Sequence, residues 1–173
     1  MPTSKVSIED FRARLDTVPE IEFARLAAFI DGEGCIGISN SPKRGYMTVR
    51  QHSMNVTVTN TNLRLFDWLI DTFGGSFCAA NRNDEKNRIT KPCYRWLINE
   101  TQCEEILRRC LKFFILKREQ AEIALMYRDL RNKRKEELHN IPVTEEELMQ
   151  RDVFQQKISA INSCKGFGVK KAV

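Results

Sequence analysis

The 173-residue sequence has only two histidines, His52 and His139, and no cysteines in a C-x-x-C pattern. Two histidines far apart in the chain argue against nucleases built on clustered histidine ligands and against Ser-His catalysis. The spacing of the six cysteines likewise argues against a structural zinc site.

Nothing in the sequence resembles a signal peptide, and no apolar run approaches the length of a membrane span. We therefore expect an intracellular protein of a reducing compartment without a membrane partner, either in the cytoplasm or in an organelle such as a mitochondrion or chloroplast. The even number of cysteines would allow three disulfides. In such a compartment, reduced and mostly buried thiols are the better interpretation.

Basic residues outnumber acidic ones modestly, 28 Lys and Arg against 23 Asp and Glu, which gives a net charge of +5. This excess fits a nucleic-acid partner, because phosphates attract Lys and Arg and binding releases counterions. On charge alone, a partner of another kind fits equally well. With 42% hydrophobic and 29% charged residues, the composition is that of an ordinary globular domain.

Hydrophobic periodicity and turn residues predict an α+β fold with the element order α-α-β-β-α-β-β-α-α-α. The sheet would have four mostly antiparallel strands with helices on one side. Helices are predicted near residues 7–15, 22–31, 62–73, 101–113, 117–135 and 144–162, and strands near 35–39, 46–59, 76–81 and 93–99. The chain would comprise an N-terminal extension with a short helix (1–19), one domain (20–165) and a basic, mobile tail (166–173).

The most informative stretch is residues 26–34, Leu-Ala-Ala-Phe-Ile-Asp-Gly-Glu-Gly. It predicts an apolar helix that Gly32 and Gly34 terminate, with two acids, Asp31 and Glu33, at its C-terminal end. Negative charge at that end opposes the helix macrodipole, which suggests that a cation sits there or that the acids have another function. Carboxylate oxygen suits Mg²⁺, and the small residues allow another backbone to come very close. A plain helix terminus with solvated acids is the alternative.

This stretch, followed by a strand that begins Cys35-Ile36, closely resembles the LAGLIDADG motif of homing endonucleases. The resemblance extends over roughly residues 20–165. It implies that family's αββαββα core, with a four-stranded antiparallel DNA-binding sheet and extra terminal helices. It also implies a metal site at Glu33 and Gly32 that holds Mg²⁺ or Mn²⁺, and a structural role for Asp31.

The motif departs from the family's usual pattern at two positions and occurs once. Glu33 stands where Asp is usual and Ala28 where Gly is most frequent, but both residues still allow metal binding and close helix contact. A single motif implies a homodimer, because the family pairs two motif helices around shared ions. Two-fold symmetry then predicts a nearly palindromic double-stranded DNA target. The expected interface residues are Phe23, Leu26, Ala27, Ala28, Ile30 and Asp31.

The second predicted strand is polar at its odd positions, which is typical of a sheet with one wet face. The resemblance places this face in the DNA major groove, where amides and hydroxyls read base edges. A merely solvated outer face gives the same alternation. The expected DNA contacts are Gln51, Ser53, Asn55, Thr57, Arg82 and Arg95, together with Lys43 and Arg44 at a hairpin tip, where phosphate and base contact are equally plausible.

The resemblance also implies catalytic roles for three residues outside the motif. Asn60 would position water, whereas Arg64 and Lys117 would offset developing charge on the phosphate. Each also has a plainer explanation, as a strand-end polar group, an exposed helix charge and a helix-start lysine. Arg118 is adjacent to Lys117, and the sequence leaves open which of the two points inward.

These features together predict a metal-dependent homodimeric endonuclease that hydrolyses both strands of one specific DNA site and leaves 3′ overhangs. The alternatives are a non-cleaving DNA-binding regulator of the same fold, an intron maturase that binds RNA, and a structural protein without a nucleic-acid role. A basic run at the end of a late helix predicts a solvated face first and phosphate contact second. Its members are Arg128, Arg131, Lys133, Arg134 and Lys135.

Overall fold

A computed structural model of the chain describes residues 7–41, 51–80, 92–137 and 142–163. The helices are α1 (Ile8–Asp16), α2 (Glu20–Glu33), α3 (Leu63–Phe73), α4 (Glu100–Cys110), α5 (Arg118–Glu137) and α6 (Glu145–Ser163), with a 3-10 turn at Leu111–Phe113. The strands are β1 (Gly34–Ser41), β2 (Gln51–Asn60), β3 (Ser76–Ala79) and β4 (Tyr94–Leu97). The predicted α+β fold class and the order of its helices and strands are confirmed. None of the described helices is long and apolar enough to cross a membrane.

The four strands form an antiparallel sheet in the order β1-β2-β4-β3. β1 pairs with β2 along its whole length, from Gly34 opposite Val58 to Ser41 opposite Gln51. Along β2 the even-numbered residues from His52 to Val58 are buried, whereas the odd-numbered ones are exposed or half-buried. Because successive side chains of a strand point to opposite faces, the sheet has one core face and one wet face, as predicted.

The core lies between the inner face of the sheet and the helices, above all α2, α4 and α5. The strands contribute Ile36, Ile38, Met54, Val56, Val58 and Trp96, all nearly inaccessible to solvent. The helices contribute Leu26, Ile30, Ile106, Leu107, Ala124 and Leu125. Each fully buried Leu or Ile is worth about 1.5–3 kcal/mol relative to exposure, so this core holds the polar C-terminal end of α2 in a fixed place.

The N-terminal helix α1 belongs to the same core through Phe11 and Leu15. Its Arg14 donates hydrogen bonds to the carbonyl oxygens of Ile70 (2.8 Å) and Asp71 (2.5 Å) at the C-terminal end of α3. A cation at that end satisfies carbonyls that have no partner within the helix and is favoured by the macrodipole. The N-terminal segment therefore braces α3, while the division of the chain at residue 19 stays a prediction.

The C-terminal end of α2 lies two residues later than predicted. The helix passes through Gly32 and ends at Glu33, and Gly34 begins β1 directly. A Cβ on Gly34 would lie 2.7 Å from the Cα of Ile30, whereas a Cβ on Gly32 would meet nothing within 4 Å. Glycine is therefore required at Gly34, where the strand leaves the helix, and Glu33 keeps a helical position beside the first strand.

The basic run of α5 is not a solvated face, and that prediction was wrong for three of its members. Arg128 is 7% exposed and forms ion pairs with two carboxylates, and Arg131 and Arg134 are partly buried and also ion-paired. Lys133 and Lys135 are exposed, as predicted. Because a helix of 20 residues in this fold packs against both neighbours α4 and α6, basic residues in its last turns also face inward.

The cysteines are only partly buried. Cys103 and Cys110 are buried thiols, as predicted, but Cys35 and Cys78 are exposed thiols on the sheet. Burial raises the pKa of both Cys103 and Cys110 to about 12, so these two are neutral at ordinary pH.

Candidate active site and nucleic-acid interface

The sheet register brings Glu33 next to Asn60. Gly34, the first residue of β1, pairs with Val58 near the end of β2, so the end of α2 lies beside the end of the long strand. There the amide nitrogen of Asn60 donates a hydrogen bond to the Oε2 atom of Glu33. The backbone N–H of Asn62 donates to Oδ1 of Asn60 at 2.8 Å and so fixes the orientation of the amide. The exposed Glu33 carboxylate is thus held from one side by a preoriented donor.

Asp31 anchors the loop that precedes α5. Its Oδ2 atom accepts hydrogen bonds from the backbone N–H groups of Ile115 (2.8 Å) and Leu116 (3.2 Å), and Oδ1 accepts one from Lys117 (2.9 Å). The residue is 8% exposed. A buried carboxylate that accepts several backbone N–H bonds is well satisfied, so the acid stabilises the join between α2 and the loop.

This anchor decides between Lys117 and Arg118. The ammonium group of Lys117 donates a hydrogen bond to the backbone oxygen of Asp31, two residues before Glu33. Arg118 points away and pairs with Glu122 at 3.1 Å, with a side chain that is 58% exposed. Lys117 therefore faces the end of α2, where its charge also offsets the unfavourable position of two acids at a helix C-terminus.

Arg64 lies near Asn60, in the first turn of α3. Both residues line an open cleft of about 400 Å³ between α2 and α3, together with the aromatic pair Phe29 and Trp68, whose ring centroids are 5.6 Å apart. Arg64 is exposed, so its guanidinium can reach a ligand at this end of the sheet. Of the four catalytic residues expected from the sequence, Glu33, Asn60 and Lys117 thus lie around the C-terminal end of α2, and Arg64 shares a cleft with Asn60.

The wet face of the sheet is broader than the sequence indicated. Gln51 and Ser53 are exposed and Asn55 and Thr57 are half-buried on the face opposite the core. Arg95 of β4 is exposed and lies opposite Thr59. Sequence reasoning missed the matching residues of β1, which register places beside those of β2: Cys35 opposite Thr57, Gly37 opposite Asn55, Ser39 opposite Ser53 and Ser41 opposite Gln51. The period-two pattern around Ile36 and Ile38 was the signal for them. Lys43, Arg44 and Arg82 lie outside the described residues.

Most of the expected dimer-interface residues face the chain's own core, and this corrects the prediction. Phe23 is 6% exposed, Leu26, Ala27 and Ile30 are 0% exposed, and Asp31 is 8% exposed, so none of them presents a surface to a second chain. Among the expected residues Ala28 alone is exposed. The physical reason is the helical period, because residues three and four apart share one side of a helix and these apolar ones form the inward stripe.

The side of α2 that faces away from the chain's own core, here called its open side, also carries small and apolar residues. Ile21 is 57% exposed and Phe29 is 38% exposed, and the small residues Ala28 and Gly32 are exposed between and beyond them. Large exposed apolar side chains beside small residues are typical of a surface that another protein covers. The sequence signal for this side was the spacing of small residues at 24, 28 and 32, four apart along the helix.

Within the described ranges, no group of three or more His, Cys, Asp or Glu side chains is arranged to hold a metal ion. The end of α2 nevertheless offers the exposed carboxylate of Glu33 and, around it, amide and backbone carbonyl oxygens. These are hard oxygen ligands of the type that Mg²⁺ and Mn²⁺ prefer. One chain therefore provides a donor set of the right chemistry but supplies a single carboxylate, which is half of what a shared two-carboxylate site requires.

No family model matches the sequence, but one curated protein and several solved structures are similar to it. The DNA endonuclease I-CvuI of Chlorella vulgaris is 28% identical over 107 residues, which are 61% of this chain and 63% of that protein. The aligned part thus spans less than two thirds of the relative.

Solved structures resemble this chain over more of its length. I-CvuI in complex with the I-CreI target has a TM-score of 0.62 at 21% identity, over 89% of this chain and 87% of that one. The archaeal intron-encoded homing endonuclease I-Vdi141I, complexed with DNA, has a TM-score of 0.63 at 14% identity, over 86% and 87%. The I-SmaMI LAGLIDADG homing endonuclease bound to cleaved DNA has a TM-score of 0.55 at 15% identity, over 77% of this chain and 42% of that longer one.

Proposed function

We propose that this chain, which belongs to the LAGLIDADG homing endonuclease family and has its fold, is a site-specific double-strand DNA endonuclease that acts as a homodimer. The observation that carries the proposal is the contact between Glu33 and Asn60. It holds an exposed carboxylate where the motif helix ends and where the wet face of the sheet begins. A phosphodiester of DNA lying along that face would pass this carboxylate.

A homodimer completes the site. One chain supplies one carboxylate at the end of α2, and the open side of the same helix carries Ile21, Ala28 and Gly32, which suit close packing against a copy of itself. Two-fold symmetry would bring a second Glu33 to the first, and it would impose near-palindromic symmetry on the DNA target.

The wet face of the sheet would recognise the base sequence of the DNA target. Amide and hydroxyl groups of Gln51, Ser53, Asn55 and Thr57 have the donors and acceptors that base edges in the major groove require. Arg95 extends this surface onto β4 with a group suited to guanine or phosphate. The proposal retains Lys43, Arg44 and Arg82 as contacts from the ends of the sheet, and it includes Ser39 and Ser41 of β1, which share the face.

The chain's own residues would divide the chemistry of hydrolysis among them. Asn60 orients the carboxylate of Glu33 and can hydrogen-bond a water molecule beside it. Lys117, which keeps further N–H donors beyond the one used on Asp31, and Arg64 place positive charge near the reacting phosphate. A divalent cation such as Mg²⁺ or Mn²⁺, held at Glu33 and Gly32 of both copies, supplies polarisation of the phosphate and an activated water when bound.

The direct test is incubation of the full chain with a library of randomised double-stranded DNA sites in the presence of Mg²⁺. We expect the parent to cleave one class of nearly palindromic sites and to leave 3′ overhangs. Glu33→Gln should bind the same sites without cutting, because the amide keeps the shape but loses the charge that holds a cation. Glu119→Gln, the same change at an exposed acid in the first turn of α5, is the matched control and should cleave like the parent.

Two outcomes would contradict the proposal. Cleavage by Glu33→Gln at the parental rate would remove Glu33 from the metal site. Specific binding without cleavage by the parent itself would indicate a DNA-binding regulator of the same fold. The homodimer has a separate test, since Ala28→Arg on the open side of α2 should give a folded monomer in analytical ultracentrifugation, and a cleaving monomer would contradict the two-carboxylate site.

A further inference from the structure

A recess rich in basic side chains lies among α4, α5 and α6, away from the sheet's wet face. Its volume is about 400 Å³. Its lining includes Glu100, Arg128, Arg131, Arg134, Lys135 and Arg151. It contains the inward part of the α5 basic run, which the proposed nuclease site leaves without a function.

The basic recess is remote from the candidate active site. Arg131 donates a hydrogen bond to the backbone oxygen of His52 at 3.2 Å, which fixes the recess near the beginning of β2. Glu33 contacts Asn60 at the other end of that strand, about 26 Å away for eight residues of extended chain. The side chain of His52 is buried on the core face. A ligand in the recess would therefore contact neither Glu33 nor the residues assigned to base reading.

The carboxylates of the recess are each shared between two guanidinium groups. Glu100 accepts from Arg128 at 3.2 Å and from Arg131 at 2.5 Å through the same oxygen atom. Glu147 at the margin accepts from Arg134 at 2.6 Å and from Arg151 at 2.5 Å. Sharing leaves part of the hydrogen-bonding capacity of the guanidinium groups unused, since each carries five N–H donors.

The charges of the recess do not cancel. Five cations, namely the four arginines above and Lys135, face Glu100, Glu147 and the neighbouring Glu104, which pairs with Arg128 at 3.0 Å. Burial alone would raise the pKa of Glu104, but hydrogen bonds from Arg108, Asn132 and Arg128 hold that pKa below its ordinary value, so the carboxylate is ionised. The arginine Arg108 is balanced by its own exposed partner, Asp129. Among the described residues, the cations that line the recess therefore exceed the carboxylates paired with them by two.

One donor in the recess is buried and unsatisfied. Arg151 is 7% exposed, and its Nε atom has no hydrogen-bond partner among the described residues, although its terminal nitrogen pairs with Glu147. A buried donor of a charged group without an acceptor destabilises the folded protein. Lys135 at the same recess is exposed and forms no hydrogen bond or ion pair with the described residues. An anion in the recess would supply an acceptor for the cationic donors of both residues.

We propose that the basic recess binds a phosphate group. A phosphate dianion matches the two surplus charges, and its several oxygens suit the planar forks of arginine better than a single-acceptor anion does. The recess is larger than a phosphate ion, so it also has room for part of the molecule that carries the group. That molecule is either a free phosphomonoester or a nucleic-acid backbone. The proposal is independent of the nuclease function, because the site lies in the helical layer.

Calorimetric titration of the full chain with inorganic phosphate, at constant ionic strength and with chloride as the reference anion, tests the proposal. We expect saturable binding of phosphate and a higher melting temperature in its presence, since a ligand that binds the folded state stabilises it. Lys135→Glu should weaken phosphate binding at least about tenfold, because it replaces an attractive charge with a repulsive one. Lys133→Glu is the matched control, with the same change of charge on the same helix but outside the recess, and should stay within about twofold of the parent.

Arg151→Lys provides a second variant that keeps the charge but removes the unsatisfied Nε donor, and it should also weaken binding about tenfold. Circular dichroism checks that each variant is folded. Absence of saturable binding by the parent, or equal affinity in the parent and Lys135→Glu, would overturn the proposal and leave water as the partner of Nε.

Competition then identifies the source of the phosphate. Adenosine monophosphate and an oligonucleotide without a terminal phosphate are each titrated against bound inorganic phosphate. Displacement by the mononucleotide alone assigns the recess to a terminal phosphate, whereas displacement by the oligonucleotide as well assigns it to a nucleic-acid backbone. Displacement that persists unchanged in Lys135→Glu would contradict the assignment to this recess.

Discussion

Replacing Asp31 by alanine removes the anchor between the end of α2 and the loop before α5. The carboxylate accepts three backbone N–H bonds from that loop, at 2.8, 3.2 and 2.9 Å, and is 8% exposed. The methyl side chain of alanine has no hydrogen-bond acceptor. The three backbone N–H groups of the loop must therefore bond to water or stay unpaired. The variant therefore tests whether this acid is structural, as the resemblance implies.

The expected loss of stability is about 2–3 kcal/mol. Hydrogen bonds to a charged acceptor contribute about 1.5–3 kcal/mol each. Ile115 and Leu116 are 86% and 71% exposed, so water reaches their loop, and a lower figure of about 1 kcal/mol per bond applies. Removing a negative charge from a helix C-terminus returns about 0.3–1 kcal/mol, which reduces the net loss. For a chain of this size, the melting temperature should fall by roughly 4–12 °C.

Urea unfolding and calorimetry of the full chain measure this loss. The stability of Asp31→Asn should lie between that of the parent and that of Asp31→Ala. The amide oxygen can still accept from Ile115 and Leu116, whereas the NH₂ group would face the N–H of Lys117. Asp67→Ala, at an exposed acid of α3, is the control and should stay within about 0.5 kcal/mol of the parent. If Asp31→Ala is as stable as Asp67→Ala, the anchor contributes nothing and the reasoning from its three bonds is refuted.

Three further predictions concern the core and the turn after α3. Tyr127→Phe should lower the free energy of unfolding in urea by about 1 kcal/mol, because it keeps the ring but deletes the 2.7 Å hydrogen bond to the carbonyl oxygen of His52. An unchanged urea midpoint would contradict that hydrogen bond. Burial raises the pKa of Cys103 and of Cys110 to about 12, so both thiols should resist alkylation in the native chain at pH 8 and react in urea. Peptide mass spectrometry measures this labelling, and labelling of the native chain would contradict their burial. Gly75→Ala should lower the free energy of unfolding by about 2–3 kcal/mol, because the residue has a φ of +89° and a Cβ would lie 2.6 Å from a backbone oxygen. Full parental stability would argue against that backbone conformation.

The order of helices and strands was predictable because each has its own period and its own terminators. Even so, the sequence misplaced the end of α2, since Gly32 and Gly34 both look like helix breakers. Only the close approach of Gly34 to Ile30 distinguishes them, and that contact depends on where β1 turns away. A single-residue pattern contains no information about such an approach.

The candidate site was predictable residue by residue but not as a set of contacts. The Glu33–Asn60 contact follows from the pairing of Gly34 with Val58, and strand alternation does not specify this register. The choice of Lys117 over Arg118 likewise follows from backbone bonds to Asp31, residues that are 86 positions apart. These contacts therefore depend on pairing between distant parts of the chain, which a local sequence pattern does not specify.

The motif helix shows why its partner-facing side was misjudged and what depends on that side. α2 is apolar on more than one side, so its larger residues, such as Leu26 and Ile30, fill the chain's own core and leave Ala28 and Gly32 facing outward. Two helices approach closely only where the residues between them are small. In the proposed homodimer the side-chain size at Ala28 therefore sets the spacing of the helix pair, and with it the separation of the two Glu33 carboxylates. In that homodimer, the small residues of the open side would control the geometry of the proposed metal site, whereas the buried stripe would not.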